Sequence, residues 1–115
     1  MLELLNQEYE PHHDNAKLVD AADYSNLLLQ LKNWTVRVDK CNKLVKSFSF
    51  DNFPITLSFV NKVAALAEEK NHHPRIICEW GKVTIEWWTH NIKGLHMNDF
   101  ICAAKTEHIY NLLKD

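Results

Sequence analysis

The sequence predicts an α+β fold, a two-layer sandwich in which a four-stranded antiparallel sheet carries three helices on one face. Two pairs of short apolar runs, 34–39 with 44–50 and 75–80 with 82–89, have the length and separation of β-hairpins. Helical spacing of apolar residues occurs in 19–33, 51–71 and 98–113. The predicted order is therefore α-β-β-α-β-β-α.

The first helix is predicted over 19–33, with Asp20 or Asp23 as its N-cap. Its stripe, at spacings of three and four, consists of Tyr24, Leu27, Leu28 and Leu31. In the strand that follows, Trp34, Val36 and Val38 alternate with polar residues, which is the period of a strand with one buried face. Residues 40–43 form the predicted turn into the second strand.

The middle helix is predicted from Asp51, a suitable N-cap, with Pro54 tolerated in the first turn. Because the residue before a proline is pushed towards extended geometry, Pro74 predicts that this helix ends near Asn71 or His72. Its expected apolar face consists of Phe53, Leu57, Val60, Ala64 and Ala67, broadened by Val63 and Leu66.

The second hairpin is predicted to turn at Gly81-Lys82. Its later strand divides into one face with Val83, Ile85 and Trp87, and another with Thr84, Glu86, Trp88 and His90. The last helix is predicted over 98–113, and its stripe consists of Ile101, Ala104, His108 and Leu112.

The 115 residues suit one domain, which we place at 18–115 behind a mobile lead-in over 1–17 that contains Pro11, His12 and His13. A formal net charge of −2 gives no global attraction to nucleic acid or anionic membrane. No apolar run reaches about 18 residues, as a membrane span needs, and the start lacks a signal-peptide layout. The three cysteines form no CxxC pair, which favours a cytoplasmic protein with reduced thiols.

Histidine is the unusual residue type, with seven in the chain. His72 and His73 would point to opposite sides of an extended chain, so they make a poor metal clamp by themselves. They suit the negative end of a helix dipole, and capping is the simplest interpretation. Capping does not account for His90, which lies at the end of a strand. If the end of the helix and the end of this strand meet at one pocket, their histidines can transfer protons there without a metal. Trp80 or Trp88 would then supply a flat apolar wall.

A wider constellation contains the histidine pair. This constellation consists of Glu68, the tripeptide HHP at 72–74, Trp80, His90 and Asp99. Its last part is the segment THNIKGLHMND at 89–99, which runs into the predicted last helix. Together with NW at 33–34 and FSFDNF at 48–53, this pattern resembles the pterin-4a-carbinolamine dehydratase family over about residues 20–113. The resemblance implies the same α-β-β-α-β-β-α sandwich, assembled as a homodimer or homotetramer.

The activity implied by the resemblance is loss of water from 4a-hydroxytetrahydropterin to give quinonoid dihydropterin, which recycles the cofactor of aromatic amino-acid hydroxylases. Pterin is the substrate, and neither a cofactor nor a metal is expected. By position, His72, His73 and His90 become catalytic and pterin-binding candidates. His72 and His90 are favoured for proton transfer, with His73 orienting the pterin or sharing that role. Glu68, one helical turn before His72, is expected to orient its ring, and Asp99 is a weaker supporting candidate. Residues around the pterin would include Pro74, Thr89 and Asn91.

Three departures from the family pattern carry expectations. Asn71 stands where Asp is common, and Trp88, in place of a small residue, would narrow the pocket or change which pterin fits. His96 stands where the last helix normally has a Ser or Thr cap, which moves the expected cap to Asn98. None of these changes removes a catalytic candidate.

The resemblance leaves alternatives to catalysis. Family members also act as dimerisation cofactors of a transcription factor or as regulators linked to phenylalanine hydroxylase, and others serve molybdopterin metabolism. The chain has no basic stripe that would favour direct binding of nucleic acid. Three convergent histidines favour the enzyme, because an interaction module does not need them.

Overall fold

The structure is a computed structural model that describes residues 3–10 and 16–114. Short 3₁₀ turns lie at Leu4–Asn6 and Ala21–Asp23. The helices are α1 (Tyr24–Leu28), α2 (Phe53–Lys70) and α3 (Met97–Lys114), and the strands are β1 (Thr35–Asp39), β2 (Cys41–Ser49), β3 (Arg75–Glu79) and β4 (Lys82–Trp87). All strand pairs are antiparallel in the order β1-β2-β4-β3, which confirms the predicted fold class.

The core lies between the sheet and the helices. Leu44 pairs with Trp87 and Phe48 pairs with Val83 across β2 and β4, and all four side chains are buried. Ile85 lies on the same face of β4, so the predicted alternation of this strand is confirmed. On the opposite face, Glu86 is fully buried beneath Arg37 and Arg75, with guanidinium contacts to its Oε2 at 2.6 and 3.2 Å.

The first helix is shorter than predicted. Asp20 does act as a cap, accepting a hydrogen bond from the Ala22 amide, but α1 covers only Tyr24–Leu28. The chain then continues through i→i+3 bonds to Leu31 and reaches Asn33, whose φ of 68° lies in the left-handed region. Because this turn follows α1, Leu27 and Leu31 still enter the core while Leu29 is exposed.

The first hairpin turns more tightly than predicted. Asp39 pairs directly with Cys41, so Lys40 alone makes the connection, with a φ of 65°. The prediction of a turn over 40–43 was therefore wrong, since Cys41–Lys43 belong to β2. In the second hairpin Glu79 pairs with Lys82, which leaves Trp80 and Gly81 as the turn. A Cβ atom on Gly81 would lie 2.8 Å from the Phe50 carbonyl oxygen, and this contact requires glycine.

The limits of α2 were predicted better than its buried face. Its N-cap is Asn52 rather than Asp51, because the Asn52 side chain accepts from the Ile55 amide at 2.9 Å. Its C-cap is Asn71, with a φ of 49°, so the predicted end is confirmed. The buried residues are Thr56, Phe59, Val63 and Ala67, whereas Phe53 and Leu57 of the predicted face are exposed. The apolar residues of α2 cover more than one face, so their spacing alone did not identify the core side.

The last helix, α3, begins at Met97, one residue before the predicted start. Ile101 and Ala104 are buried as predicted, but His108 and Leu112 are exposed. The buried surface is broader near the start of α3, where every residue from Asn98 to Ala104 is buried. Within the described residues, no helix is long and apolar enough to cross a membrane.

Residues 3–10 lie against α3 and the core. Leu4 is 1% exposed, and its amide donates to the Gln30 side chain at 2.7 Å. Lys105 of α3 donates to the Leu5 carbonyl at 3.2 Å. The sequence did not predict these contacts. The mobile lead-in over 1–17 and the domain boundary at 18 stay predictions, and His12 and His13 lie outside the described residues.

Candidate active site

The end of α2 sends the two adjacent histidines in different directions. Asn71 adopts the left-handed conformation and its amide bonds back to α2, as does the amide of His72, 3.0 Å from the Ala67 carbonyl oxygen. Beyond this cap the chain becomes extended towards Pro74 and β3. The His72 side chain is 2% exposed, and that of His73 is 55% exposed. The pair therefore supplies one buried and one accessible imidazole.

His72 is bound to a carboxylate that is distant in sequence. Its Nε2 lies 2.5 Å from Oδ1 of Asp99, whose side chain is fully buried. The other oxygen, Oδ2, accepts from the Thr89 hydroxyl at 2.7 Å and from the His96 amide at 2.9 Å. With these three donors Asp99 is held rigidly, and it fixes the orientation of the His72 ring. Asp99 therefore does more than interact with the helix dipole.

The start of α3 is a reciprocal cap built on His96. Nδ1 of His96 accepts from the Asn98 amide at 3.0 Å, and the Asp99 side chain accepts from the His96 amide. The prediction that the cap would move to Asn98 was wrong, because imidazole can accept at Nδ1 as a hydroxyl would. Since Nδ1 is the acceptor, the ring carries its proton on Nε2, which contacts the Glu10 carboxylate at 2.9 Å.

Aromatic rings lie close to His72. Trp87 stacks on the His72 imidazole with ring centroids 5.5 Å apart and planes inclined by 9°. The ring of Tyr9 approaches to 6.0 Å at an angle of 58°. Burial raises the pKa of the Tyr9 phenol, and the nearby Asp99 carboxylate raises it further. The ring contact places Tyr9 beside the His72–Asp99 pair.

Glu68 is bound to a different histidine from the one predicted. Its Oε1 lies 2.7 Å from Nε2 of His73, and both side chains are largely exposed. The expected contact with His72 was wrong, because the cap at Asn71 turns His72 into the protein and leaves His73 above the last turn of α2. The site thus contains two carboxylate–histidine pairs, His72–Asp99 inside and His73–Glu68 at the surface.

His90 approaches the same region from the end of β4. It follows Thr89, which forms an isolated bridge with Gly94 and so closes a short loop. Nε2 of His90 lies 3.3 Å from the His73 carbonyl oxygen. The ring centroids of Trp88 and His90 are 4.4 Å apart, and the Lys43 ammonium lies over the Trp88 indole, 4.3 Å from its centroid. Trp88 therefore supports His90.

The three histidines line one open cleft of about 400 Å³, together with Asn71 and Asn91. The predicted pterin contacts at Pro74 and Thr89 do not line it. Thr89 is 3% exposed, with its hydroxyl directed to Asp99. Trp80, a candidate wall, is 66% exposed in the β3–β4 turn and is not part of the lining either.

Metal-ligating residue types are not grouped in the described part of the chain. No three His, Cys, Asp or Glu side chains of residues 3–10 and 16–114 are placed to hold a metal ion. The cysteines are separate: Cys78 is exposed, Cys41 is half-buried and Cys102 is buried. Burial raises the pKa of the Cys102 thiol, with nearby Asp99 as the next cause.

Sequence reasoning missed Tyr9 and Trp87 as neighbours of His72. Trp87 was predicted to be buried, but its strand position gave no signal of stacking on a histidine 15 positions earlier. Tyr9 lies in a segment without helical or strand periodicity. Neither contact could be found from local patterns, because both join elements that only the fold brings together.

The family model described as Pterin 4 alpha carbinolamine dehydratase matches residues 17–109. The chain belongs to this family. The match includes both halves of the cleft, the end of α2 and the end of β4, but it begins after Tyr9.

Two solved structures are similar to the protein. One is described as a transcriptional coactivator/pterin dehydratase from Brucella melitensis, with 26% identity, a TM-score of 0.76, and coverage of 82% of this chain and 99% of that chain. The other is described as a pterin dehydratase-like protein identified as a RuBisCO assembly factor in the alpha-carboxysome. At 24% identity, a TM-score of 0.59, and coverage of 68% of this chain and 89% of that chain, it shows the shared fold alone.

Proposed function

We propose that this protein dehydrates 4a-hydroxytetrahydropterin to quinonoid dihydropterin by histidine acid–base catalysis. The observation that carries the proposal is that His72, His73 and His90 line one open cleft. A volume of about 400 Å³ is within the usual range of small-molecule sites, roughly 300–1,000 Å³. Membership of the dehydratase family supports the substrate class.

The reaction needs two proton transfers. The C4a–O bond breaks, and the departing hydroxyl takes a proton and leaves as water. A proton is removed from N5, and a C4a=N5 double bond forms. No electrons are exchanged with another molecule, so two imidazoles can serve as acid and base without a resident cofactor, each contributing about 10²- to 10⁴-fold.

Accessibility favours His73 and His90 as the residues that exchange protons with the pterin. Both are exposed, and the contact from His90 Nε2 to the His73 carbonyl oxygen keeps them adjacent. Glu68 would orient His73 and stabilise its protonated form. The sequence favoured His72 with His90, but the 2% exposure of His72 suits a different role. Held by Asp99, it would form the fixed inner wall against which the pterin binds.

Activity measurements on single variants test the assignment. We expect the intact protein to dehydrate 4a-hydroxytetrahydropterin in a stopped-flow assay, and His73→Ala and His90→Ala each to lower kcat by at least about 10²-fold. His72→Ala should mainly raise KM. His108→Ala is the matched control, since this histidine is exposed on α3 and lines none of the cleft. An inactive intact protein, or full activity in both His73→Ala and His90→Ala, would contradict the proposal.

A second candidate function is interaction with another protein, through α2. Phe53, Ile55 and Leu57 are 41%, 37% and 40% exposed near the start of this helix, a cluster that suits a protein contact. The same residues would serve a homodimer or homotetramer. Sedimentation of the intact protein and of Leu57→Lys tests self-association: a monomer in both would contradict it. A molybdopterin-related role, a link with phenylalanine hydroxylase and a cytoplasmic location stay predictions from the sequence.

A further inference from the structure

Residues 3–10, here called the strap, are fastened to the start of α3 by side chains of the site region. The Asn98 side chain accepts from the Glu10 amide at 2.8 Å and donates to the Glu10 carbonyl at 2.7 Å. His96 contacts the Glu10 carboxylate with its Nε2 at 2.9 Å. Asn98 and His96 are 3% and 5% exposed, whereas the Glu10 side chain is 61% exposed, so the two backbone bonds made by Asn98 are better shielded from water than the contact with the Glu10 carboxylate. The connection is therefore specific at both backbone and side chain.

The strap is also anchored at its other end. Leu4 is buried in the core, its amide is bonded to Gln30, and the Leu5 carbonyl accepts from Lys105. Between these anchors the strap carries Tyr9, whose side chain is hydrogen-bonded to that of Asn98. Lys70, at the end of α2, lies 5.8 Å from the centre of the Tyr9 ring. Contacts to α2 and α3 thus fix the position of Tyr9.

The ring of Tyr9 is held beside the pair that forms the inner wall of the cleft. Trp87 covers one flat side of His72, and Tyr9 makes an inclined contact with the same imidazole. The Asp99 carboxylate binds Nε2 of that ring, and it also lies close enough to Tyr9 to raise the pKa of the Tyr9 phenol, which burial already raises. Two aromatic neighbours and one carboxylate leave the His72 ring little room to rotate.

We propose that the strap is part of the active site and that Tyr9 is a positioning residue, which completes an aromatic enclosure around the His72–Asp99 pair. This inference rests on the proposed function for its effect on catalysis, but not for the enclosure itself. Because the family match begins at residue 17, the strap is a contribution that this chain makes outside the matched region. Its effect would reach the substrate through His72.

The test follows the Nε2 proton of His72 by NMR in the full-length protein, with the signal assigned by its loss in His72→Gln. In the intact protein a proton between imidazole and buried carboxylate should give a downfield signal that exchanges slowly with water. Tyr9→Ala should speed this exchange by about tenfold or more, since the enclosure opens locally. Tyr9→Phe should restore slow exchange, because the ring and not the hydroxyl makes the enclosure.

Two further variants separate positioning from general loosening. Asn98→Ala keeps the Tyr9 ring but removes both strap bonds to Glu10 and the bond to the Tyr9 side chain, so it should also speed exchange. It decides the matter if Tyr9→Ala fails to fold. Tyr110→Ala removes a half-buried tyrosine that packs on Phe48 and Phe59 at the other end of α3, and it should leave the exchange rate unchanged. The proposal would be overturned if Tyr9→Ala and Asn98→Ala both kept the exchange rate of the unsubstituted protein. It would also be overturned if Tyr110→Ala increased this rate as much as they do.

Turnover supplies the second readout. If the intact protein is active, Tyr9→Ala should lower kcat/KM by about tenfold, as expected when a site wall shifts slightly, and Tyr9→Phe should recover it. Unchanged kcat/KM in Tyr9→Ala would contradict the catalytic part of the inference. If the intact protein shows no dehydration, the proposed function fails, while proton exchange still decides whether the strap encloses His72.

Discussion

His72 at the end of α2 and Asp99 in the first turn of α3 are joined by a contact of 2.5 Å between Nε2 and Oδ1. Both side chains are buried, and the contact spans 27 positions of sequence. The same carboxylate accepts from Thr89 and from the His96 amide, so one residue connects the end of α2, the end of β4 and the cap of α3. This connection holds the cleft together from inside.

Removal of the Asp99 carboxylate should be strongly destabilising. Asp99→Ala leaves three buried donors without an acceptor, and breaking a buried charged network typically costs about 3–5 kcal/mol. We expect urea denaturation to show a loss of at least about 3 kcal/mol. Asp51→Ala is the control, because that carboxylate is exposed beside α2 and should change stability by less than about 0.5 kcal/mol. Similar losses in both variants would contradict this account.

The cap of α2 can be tested by neighbouring substitutions. Asn52→Ala removes the acceptor for the Ile55 amide and should lower the free energy of unfolding by about 1 kcal/mol. Asp51→Ala should have little effect, since Asp51 is not the cap. Thermal denaturation of the two variants in parallel distinguishes them. A larger loss of stability in Asp51→Ala than in Asn52→Ala would instead support Asp51 as the N-cap, as the sequence predicted.

Glu68 should affect catalysis more than stability. Its carboxylate contacts His73 in an exposed pair, and such pairs contribute little to folding. Glu68→Gln should therefore lower kcat/KM by about tenfold or more, with an unchanged unfolding midpoint. Glu69→Gln, an exposed neighbour paired with Lys70, is the matched control and should retain activity. Equal activity in the two variants would exclude a role for the Glu68–His73 pair.

Stability should fall at alkaline pH because of Cys102. Burial raises the pKa of its thiol in the folded protein, whereas the unfolded thiol ionises near its ordinary value of about 8.5. Below that pH both states hold the proton; above it the unfolded state loses the proton first. The free energy of unfolding should then fall, approaching about 1.4 kcal/mol per pH unit for this group.

Urea denaturation at pH 7, 9 and 10 measures this decline. Cys102→Ala should reduce the slope, although it lowers stability at pH 7 by removing a buried side chain. Cys78→Ala should leave the slope unchanged, because that thiol is exposed. An identical slope in the intact protein and Cys102→Ala would show that the buried thiol does not couple folding to pH.

Local patterns were enough to predict the architecture but not every buried face. Alternation in β4 correctly placed Val83, Ile85 and Trp87 on the core side, because successive side chains of a strand point to opposite faces of the sheet. In α2 the apolar residues surround more of the helix than the core covers, so Phe53 and Leu57 were wrongly assigned to the core. Thr56 is buried instead, because its hydroxyl contacts the carbonyl oxygens of Asn52 and Trp80.

The site shows the same division. Pro74 and Asn71 fix where α2 ends, and the spacing of His72, His73 and His90 suggested that they converge; the structure brings them to one cleft. The sequence did not correctly predict which carboxylate each histidine binds. An i,i+4 argument paired Glu68 with His72, but the left-handed cap rotates the chain and exchanges the two rings.

The sequence by itself determined the order of helices and strands, the end of α2 and the set of histidines, because periodicity, proline and residue chemistry act over a few positions. Only the tertiary structure decided that His72 binds Asp99, that His73 binds Glu68 and that Tyr9 lies beside the inner pair. These contacts depend on how α2, β4, α3 and the strap pack together. Because the Asp99 carboxylate and the His72 imidazole are both buried, neither can replace the other with a hydrogen bond to bulk water.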